Sequence, residues 1–272
     1  EIAQCLVGSE MCIRDRLVLL SCAKTMSAVS KVKVPLTTSP RFQKEAAEIA
    51  LQMSQFSVDE LERLLRVNAK IAVENYKRYQ AFHAETTPEL PALLAYTGIV
   101  FKRLNPKDFS AEDFGYAQEH LRLTSFCYGL LRPLDVIRAY RLEGDVVLPE
   151  LGNQTLFSYW RSRLTDTFIE DIRSAGGILC NLASDEMKSL FDWKRVESEV
   201  RVVTPEFHVW KNGKLATIVV YTKMSRGEMT RFILKNKIGN PEELKGFSWE
   251  GFEFDESLSD EKKLVFINGM GE

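Results

Sequence analysis

Signature motifs are scarce in this chain. It contains no Gly-x-Gly-x-x-Gly, no Gly-x-x-x-x-Gly-Lys-Ser/Thr, no His-Glu-x-x-His and no Gly-x-Ser-x-Gly, so phosphate-loop, zinc-protease and serine-hydrolase chemistry has no support from local pattern. Histidine is rare: His83, His120 and His208 are far apart in sequence. The five cysteines include no Cys-x-x-Cys pair and lack a neighbouring His to complete a zinc set, which points to a reducing compartment and to no tightly bound metal or cofactor. Charge of one sign is also lacking, with 36 Lys plus Arg against 38 Asp plus Glu and a net charge of -2. Bulk electrostatics therefore offers nothing to nucleic acid, and any anion site must be a local cluster. No internal repeat, low-complexity tract or long hydrophobic run appears.

The apolar run Leu17-Val18-Leu19-Leu20 ends at Ser21-Cys22, and charge returns at Lys24. That is shorter than the roughly 7–15 apolar residues of a signal peptide and the roughly 20 of a membrane span. A cytoplasmic location without membrane attachment is expected, although Leu19-Leu20-Ser21-Cys22 superficially imitates a lipoprotein cleavage site. Residues 1–16, EIAQCLVGSEMCIRDR, lack periodicity. They read as a translated sequencing-adapter artefact standing in place of the true start, and they are set apart from fold reasoning. Residues 17–272 are expected to form one domain.

What is present is the patterning of a mixed α/β (α+β) chain. The 45% hydrophobic content suits a single large core. Helices are expected over 41–54, 57–66 and 69–83, an N-terminal bundle in which Pro40 precedes the first and Ser57 with Glu60 forms a capping box for the second. A further helix follows Ser110, another spans about 155–174 before Gly176-Gly177, and a strand over 178–182 leads to a short helix opened by Ser184. Val202–Val209 and Leu215–Tyr221 flank Asn212-Gly213, the pattern of a β-hairpin at about 202–221 with a type I′ turn. A helix over 225–237 and short strands over 247–254 and 264–268 close the chain. These elements imply a compact domain with a central mixed sheet.

Polar residues that interrupt this pattern are the candidates for function. Lys24 follows the first strand, where loops of sheet proteins present ligand-binding groups; an ordinary exposed lysine is the competing reading. Arg132 and Asp135 flank an apolar segment, and Arg141 and Glu143 repeat the theme, each pair being either a structural ion pair or part of a polar cleft. Asn181 and Ser184 lie where a strand gives way to a helix, an anion-binding position. Simple capping, with Asp185 and Glu186 complementing the helix end, is the more economical account. Lys223, Gly227 and Arg231 fall at i, i+4 and i+8 with Arg226 adjacent, the best basic cluster in the chain, against which stands a merely solvated helix face. Gly227 would permit close approach of backbone or ligand.

Taken in order, SCAKT at 21–25, QEHLRLTSFCYGLLRPLD at 118–135, YRLE at 140–143, LFSYW at 156–160, NLASDE at 181–186, KNGK at 211–214 and KMSRGEMTRFI at 223–233 resemble the YaaA family of peroxide-stress proteins from Leu17 to Asn268. The resemblance implies a compact mixed fold, a role in resistance to hydrogen peroxide, and a positive cleft that binds DNA. It also implies a helix-hairpin-helix element, which here falls between Val58 and Tyr76 with its turn at Leu64 to Lys70. That turn contains none of the glycines such hairpins use to bring backbone N–H groups to a phosphate. Cys22 stands where the family shows proline; a thiolate favoured by Lys24 would suit a redox role, but an inert substitution weighs more.

Two functions follow. In the first, Lys24, Arg132, Arg141, Lys223, Arg226 and Arg231 line one cleft and hold double-stranded DNA by shape and phosphate contacts, limiting oxidative damage. In the second, the same cations fix a small anionic ligand, a phosphate, nucleotide or carboxylate, while Asp135, Glu143 or Glu186 supplies a general base. No catalytic activity is established by the pattern. An open basic groove favours DNA, and a closed pocket with convergent acids favours a small ligand. A blander account makes the peroxide role indirect, through iron handling by a partner.

Overall fold

The computed structural model describes residues 16–211 and 213–269. The chain opens with β1 (Arg16–Leu20), then folds α1 (Gln43–Met53), α2 (Val58–Leu65) and α3 (Ala69–Ala81). Next come β2 (Leu90–Pro91), α4 (Ala92–Ala95), α5 (Ile99–Leu104), α6 (Ala111–His120), β3 (Leu121–Ser125), β4 (Gly129–Leu131) and β5 (Val136–Ile137). The pair β6 (Val147–Leu148) and β7 (Gln154–Thr155) leads into the long α7 (Leu156–Ser174) and β8 (Ile178–Asn181). The last third holds α8 (Asp185–Lys188), α9 (Trp193–Glu199), β9 (Arg201–Lys211), β10 (Lys214–Ala216), α10 (Val219–Asn236), β11 (Phe252–Asp255) and β12 (Lys263–Asn268).

Among the described residues eight strands form one mixed sheet, in the order β11-β12-β9-β8-β1-β3-β4 with β10 on β9. Its centre is parallel: Val18 faces Leu121 of β3 on one side and Cys180 of β8 on the other. β1, β3 and β8 are buried along their whole length, as expected of parallel strands covered on both faces. Trp160 of α7 is fully buried and donates its indole N–H to the Phe126 carbonyl at 2.8 Å, which fastens that helix over the β3–β4 turn.

Helix caps follow the sequence closely. Ser57 and Glu60 make the expected capping box, Ser110 and Asp113 make another, and Thr155 caps α7. The hairpin is shorter than expected. β10 ends at Ala216, and Val219, Val220 and Tyr221 begin α10 rather than continuing a strand. Val219 and Val220 are exposed, so no core face rewards them as strand, and their small helix penalty is overridden by docking of α10 on α5. The Asn212-Gly213 turn falls partly outside the described residues, at Asn212; Gly213 has φ +70°. The strand expected over 247–254 contracts too, to β11 at Phe252–Asp255.

Arg16, the last residue of the stretch set apart by sequence, nonetheless begins β1: it is fully buried, paired with Ile178, and among the described residues none of its guanidinium nitrogens finds a hydrogen-bond partner. Burial lowers its pKa from the usual arginine value. An unsatisfied buried polar group costs about 1–3 kcal/mol, so Arg16→Met should raise the unfolding midpoint in urea; an unchanged or lower midpoint would contradict this account of the strand end.

Candidate functional site

The site begins with the topology. β1 is followed by chain that reaches β3 on one side, whereas β8 is followed by β9 on the other. Loops leaving neighbouring parallel strands in opposite directions open a crevice at the carboxyl ends, the usual ligand position in open α/β sheets. Here those segments are Ser21–Thr25 and Leu182–Ser184, the second leading into α8. Ser21 ties them together: its Oγ accepts from the Ser184 N–H at 2.8 Å and donates to Ser184 Oγ at 3.3 Å. Ser184 therefore does not cap α8 with its side chain, contrary to the capping expected from sequence.

A pocket of about 360 Å³ fills the crevice, lined by Lys24, Arg141, Ser184, Glu186, Lys223 and Arg226 with apolar walls from Phe126, Tyr140, Leu142, Leu182 and Met187. Glu143 is buried behind two of the cations, its Oε2 accepting from Lys24 Nζ at 2.6 Å and its Oε1 from Arg141 Nη2 at 3.4 Å. Arg141 Nε and Arg226 Nε are buried without a hydrogen-bond partner. Burial lowers the Arg226 pKa, opposed in part by Asp185. Tyr140, bonded to Ser125 at 2.6 Å and Tyr96 at 2.7 Å, is held protonated, since burial pushes its hydroxyl far up.

Other candidates lie elsewhere. Arg132 is not in this crevice; it pairs with Asp135, which is 1% exposed. Arg231 grips Asp108 through both terminal nitrogens at 2.8 and 2.6 Å and donates to the carbonyls of Leu104 and Asn105. The expectation of six cations in one cleft is corrected to four, because local acids and carbonyls hold the other two. Asn181 is buried, its Oδ1 accepting from the Ala183 N–H to shape the loop, and it is not part of the pocket wall.

Cys22 lines the pocket, and burial pushes its thiol up to about 12, which favours the inert substitution over the alternative of a thiolate stabilised by Lys24. Iodoacetamide at neutral pH should leave Cys22 unmodified in the native chain and label it after denaturation. Labelling of the native chain at a rate like that of a free thiol would overturn this reading.

A second concavity adjoins the first, with Phe101 lining both. It is an open groove of about 980 Å³, walled by Lys31, Lys33, Lys102 and Lys107, and no carboxylate lines it. All four lysines are exposed, and none makes an ion pair or side-chain hydrogen bond among the described residues. The walls meet because Met26 bridges Tyr96, Ser27 N–H donates to the Ala95 carbonyl at 2.8 Å and Thr97 N–H to the Thr25 carbonyl at 3.0 Å. Sequence reading missed these lysines. Lys31 and Lys33 lie between β1 and α1 in chain without helix or strand, and only this long-range pairing brings them opposite Lys102 and Lys107.

The span between Val58 and Tyr76, where the resemblance implies a helix-hairpin-helix element, holds α2 and the first part of α3. Its turn spends its amides within the chain: Arg66 and Val67 donate to Arg63 and Glu62 carbonyls, and Ile71 to Asn68 Oδ1. Arg66 pairs with Asp145.

Residues 17–258 match the family model described as peroxide stress protein YaaA. The chain belongs to the YaaA peroxide stress protein family. Among relatives of this YaaA-family chain, the UPF0246 protein of Bacteroides thetaiotaomicron is 99% identical over 256 residues, covering 94% of this chain and all of that one. A UPF0246 protein of Bacteroides fragilis is 78% identical over the same shares. A more distant one from Crocosphaera subtropica is 38% identical over 92% of this chain and 99% of its own length. Among the described residues no helix is long and apolar enough to cross a membrane.

Proposed function

We propose that this YaaA-family chain serves in the peroxide response by binding DNA along the lysine groove, and so limits oxidative damage to it. The observation that carries the reading is the groove itself: four exposed lysines, unpaired among the described residues, face a space of about 980 Å³ that no carboxylate lines. In a chain of net charge -2 such a concentration of one sign creates a local field that attracts a polyanion. The aromatic residues beside it, Tyr96, Phe101 and Phe109, are buried and leave little ring face for base stacking. Contacts are therefore to phosphates, which position a duplex without reading its sequence. Arg132 and Arg231 take no part, being held by Asp135 and Asp108.

Fluorescence anisotropy with labelled duplexes of unrelated sequence tests this. Binding is expected at about 50 mM salt and should weaken by orders of magnitude at about 200 mM, with little difference between sequences. No binding at the lower salt would overturn the proposal.

A further inference from the structure

We propose that the pocket between the loops after β1 and β8 is a separate site for a small organic phosphate monoester, of the size and chemistry of a nucleoside monophosphate. The inference concerns a different cavity from the lysine groove and stands independently of what the groove binds.

Three observations converge. The first is the orphaned donors. Arg141 Nε and Arg226 Nε are out of contact with solvent and have no acceptor among the described residues. Arg226 makes no side-chain hydrogen bond or ion pair at all among those residues. Buried N–H groups are rarely left unpaired; Arg141 spends its terminal nitrogens on Glu143 and the Lys24 carbonyl, whereas the Arg226 guanidinium on the pocket wall is uncommitted among the described residues and leaves donors for an acceptor that enters from outside. Guanidinium forks match phosphate oxygens geometrically.

The second is charge. Lys24, Arg141, Lys223 and Arg226 contribute four positive charges. Glu143, held by Lys24 and Arg141, and Glu186 on the wall contribute two negative ones. The excess of two matches a phosphate monoester, which carries about -1.5 to -2 near pH 7, and exceeds what a single carboxylate brings.

The third is shape. A volume of about 360 Å³ lies within the roughly 300–1,000 Å³ of small-molecule sites. Phe126, Leu142, Leu182 and Met187 give the organic part an apolar wall. The Tyr140 hydroxyl is already engaged by Ser125 and Tyr96, so the Tyr140 ring contributes to the same wall. The crevice stands at the reversal of strand order, where open sheets receive ligands.

The same phosphate monoester chemistry occurs on a free nucleotide and at the 5′ end of a nucleic-acid strand. Isothermal titration calorimetry of the full chain with adenosine 5′-monophosphate, adenosine and inorganic phosphate addresses the first source. Competition of the bound nucleotide by 5′-phosphorylated and 5′-hydroxyl oligonucleotides addresses the second. Arg226→Gln removes one guanidinium, and Lys223→Gln at an exposed position provides a variant whose folding is not at issue. The expected result is that adenosine 5′-monophosphate binds and adenosine does not, or that the 5′-phosphorylated strand competes at the pocket and its hydroxyl counterpart does not, with affinity falling about tenfold or more in Arg226→Gln. Substitution of the four groove lysines should leave this binding intact. Failure of both phosphorylated ligands to bind, or equal binding by the chain and by both variants, would overturn the proposal.

Discussion

Asp135→Ala is expected to lower the unfolding free energy by about 2–3 kcal/mol, the cost of leaving a backbone amide and a hydroxyl without their acceptor in a buried site. Its carboxylate is a junction. Oδ1 accepts from Thr38 Oγ1 at 2.6 Å and from Arg132 Nη2 at 3.0 Å, and Oδ2 accepts from the Arg132 backbone N–H at 2.8 Å. Gln118 extends the network, donating to Thr38 Oγ1 at 3.0 Å and accepting from the Leu134 N–H at 2.8 Å. Truncation leaves the Arg132 amide and the Thr38 hydroxyl without this acceptor in a site where Asp135 itself is 1% exposed. Urea unfolding monitored by tryptophan fluorescence measures the effect. A loss below about 1 kcal/mol would mean the network rearranges at little cost. Asp135 was a candidate general base by sequence; here it holds three chain segments together, away from both cavities.

Gly227→Ala is expected to destabilise by about 1–3 kcal/mol, the usual cost of forcing atoms into a packed contact. A Cβ at Gly227 would lie 2.3 Å from the Val100 carbonyl oxygen and 2.8 Å from Arg103 Cβ. The first of these is backbone, so α10 and α5 must move apart. The consequence reaches function, because α10 carries Lys223 and Arg226 while Ile99, Val100 and Phe101 of α5 form the facing wall of the pocket. Thermal unfolding should show a midpoint lower by several degrees. Gly246→Ala, where an added Cβ meets nothing within 4 Å, is the control and should change stability by less than about 0.5 kcal/mol. Equal midpoints for the two variants would contradict the close-packed contact.

Much of the architecture was legible because it rests on local chemistry. Ser57-x-x-Glu60 and Ser110 specify helix starts through their own side chains, and Leu17–Leu20 reads as a strand because it is apolar on both faces. Val219–Tyr221 misled because β-branched residues express a weak preference that tertiary docking reverses. The site was half legible. Lys24, Arg141, Ser184, Lys223 and Arg226 were found from strand ends and clustered charge, and the fold brings them together. Arg132 and Arg231 look identical to them in sequence, and only the positions of Asp135 and Asp108 remove them. The lysine groove was invisible, since Lys31–Lys33 and Lys102–Lys107 meet only through the Met26–Tyr96 bridge.

The central claim is that those four lysines are the phosphate contacts of a nucleic-acid site. The most direct test is the slope of log affinity against log salt for duplex DNA, measured for the chain and for a variant with Lys31, Lys33, Lys102 and Lys107 all replaced by Gln. The account predicts a slope shallower by about 3 to 4 in the variant, from roughly 0.9 per lost contact, with binding weakened at every salt concentration. Parallel lines of equal slope would contradict it.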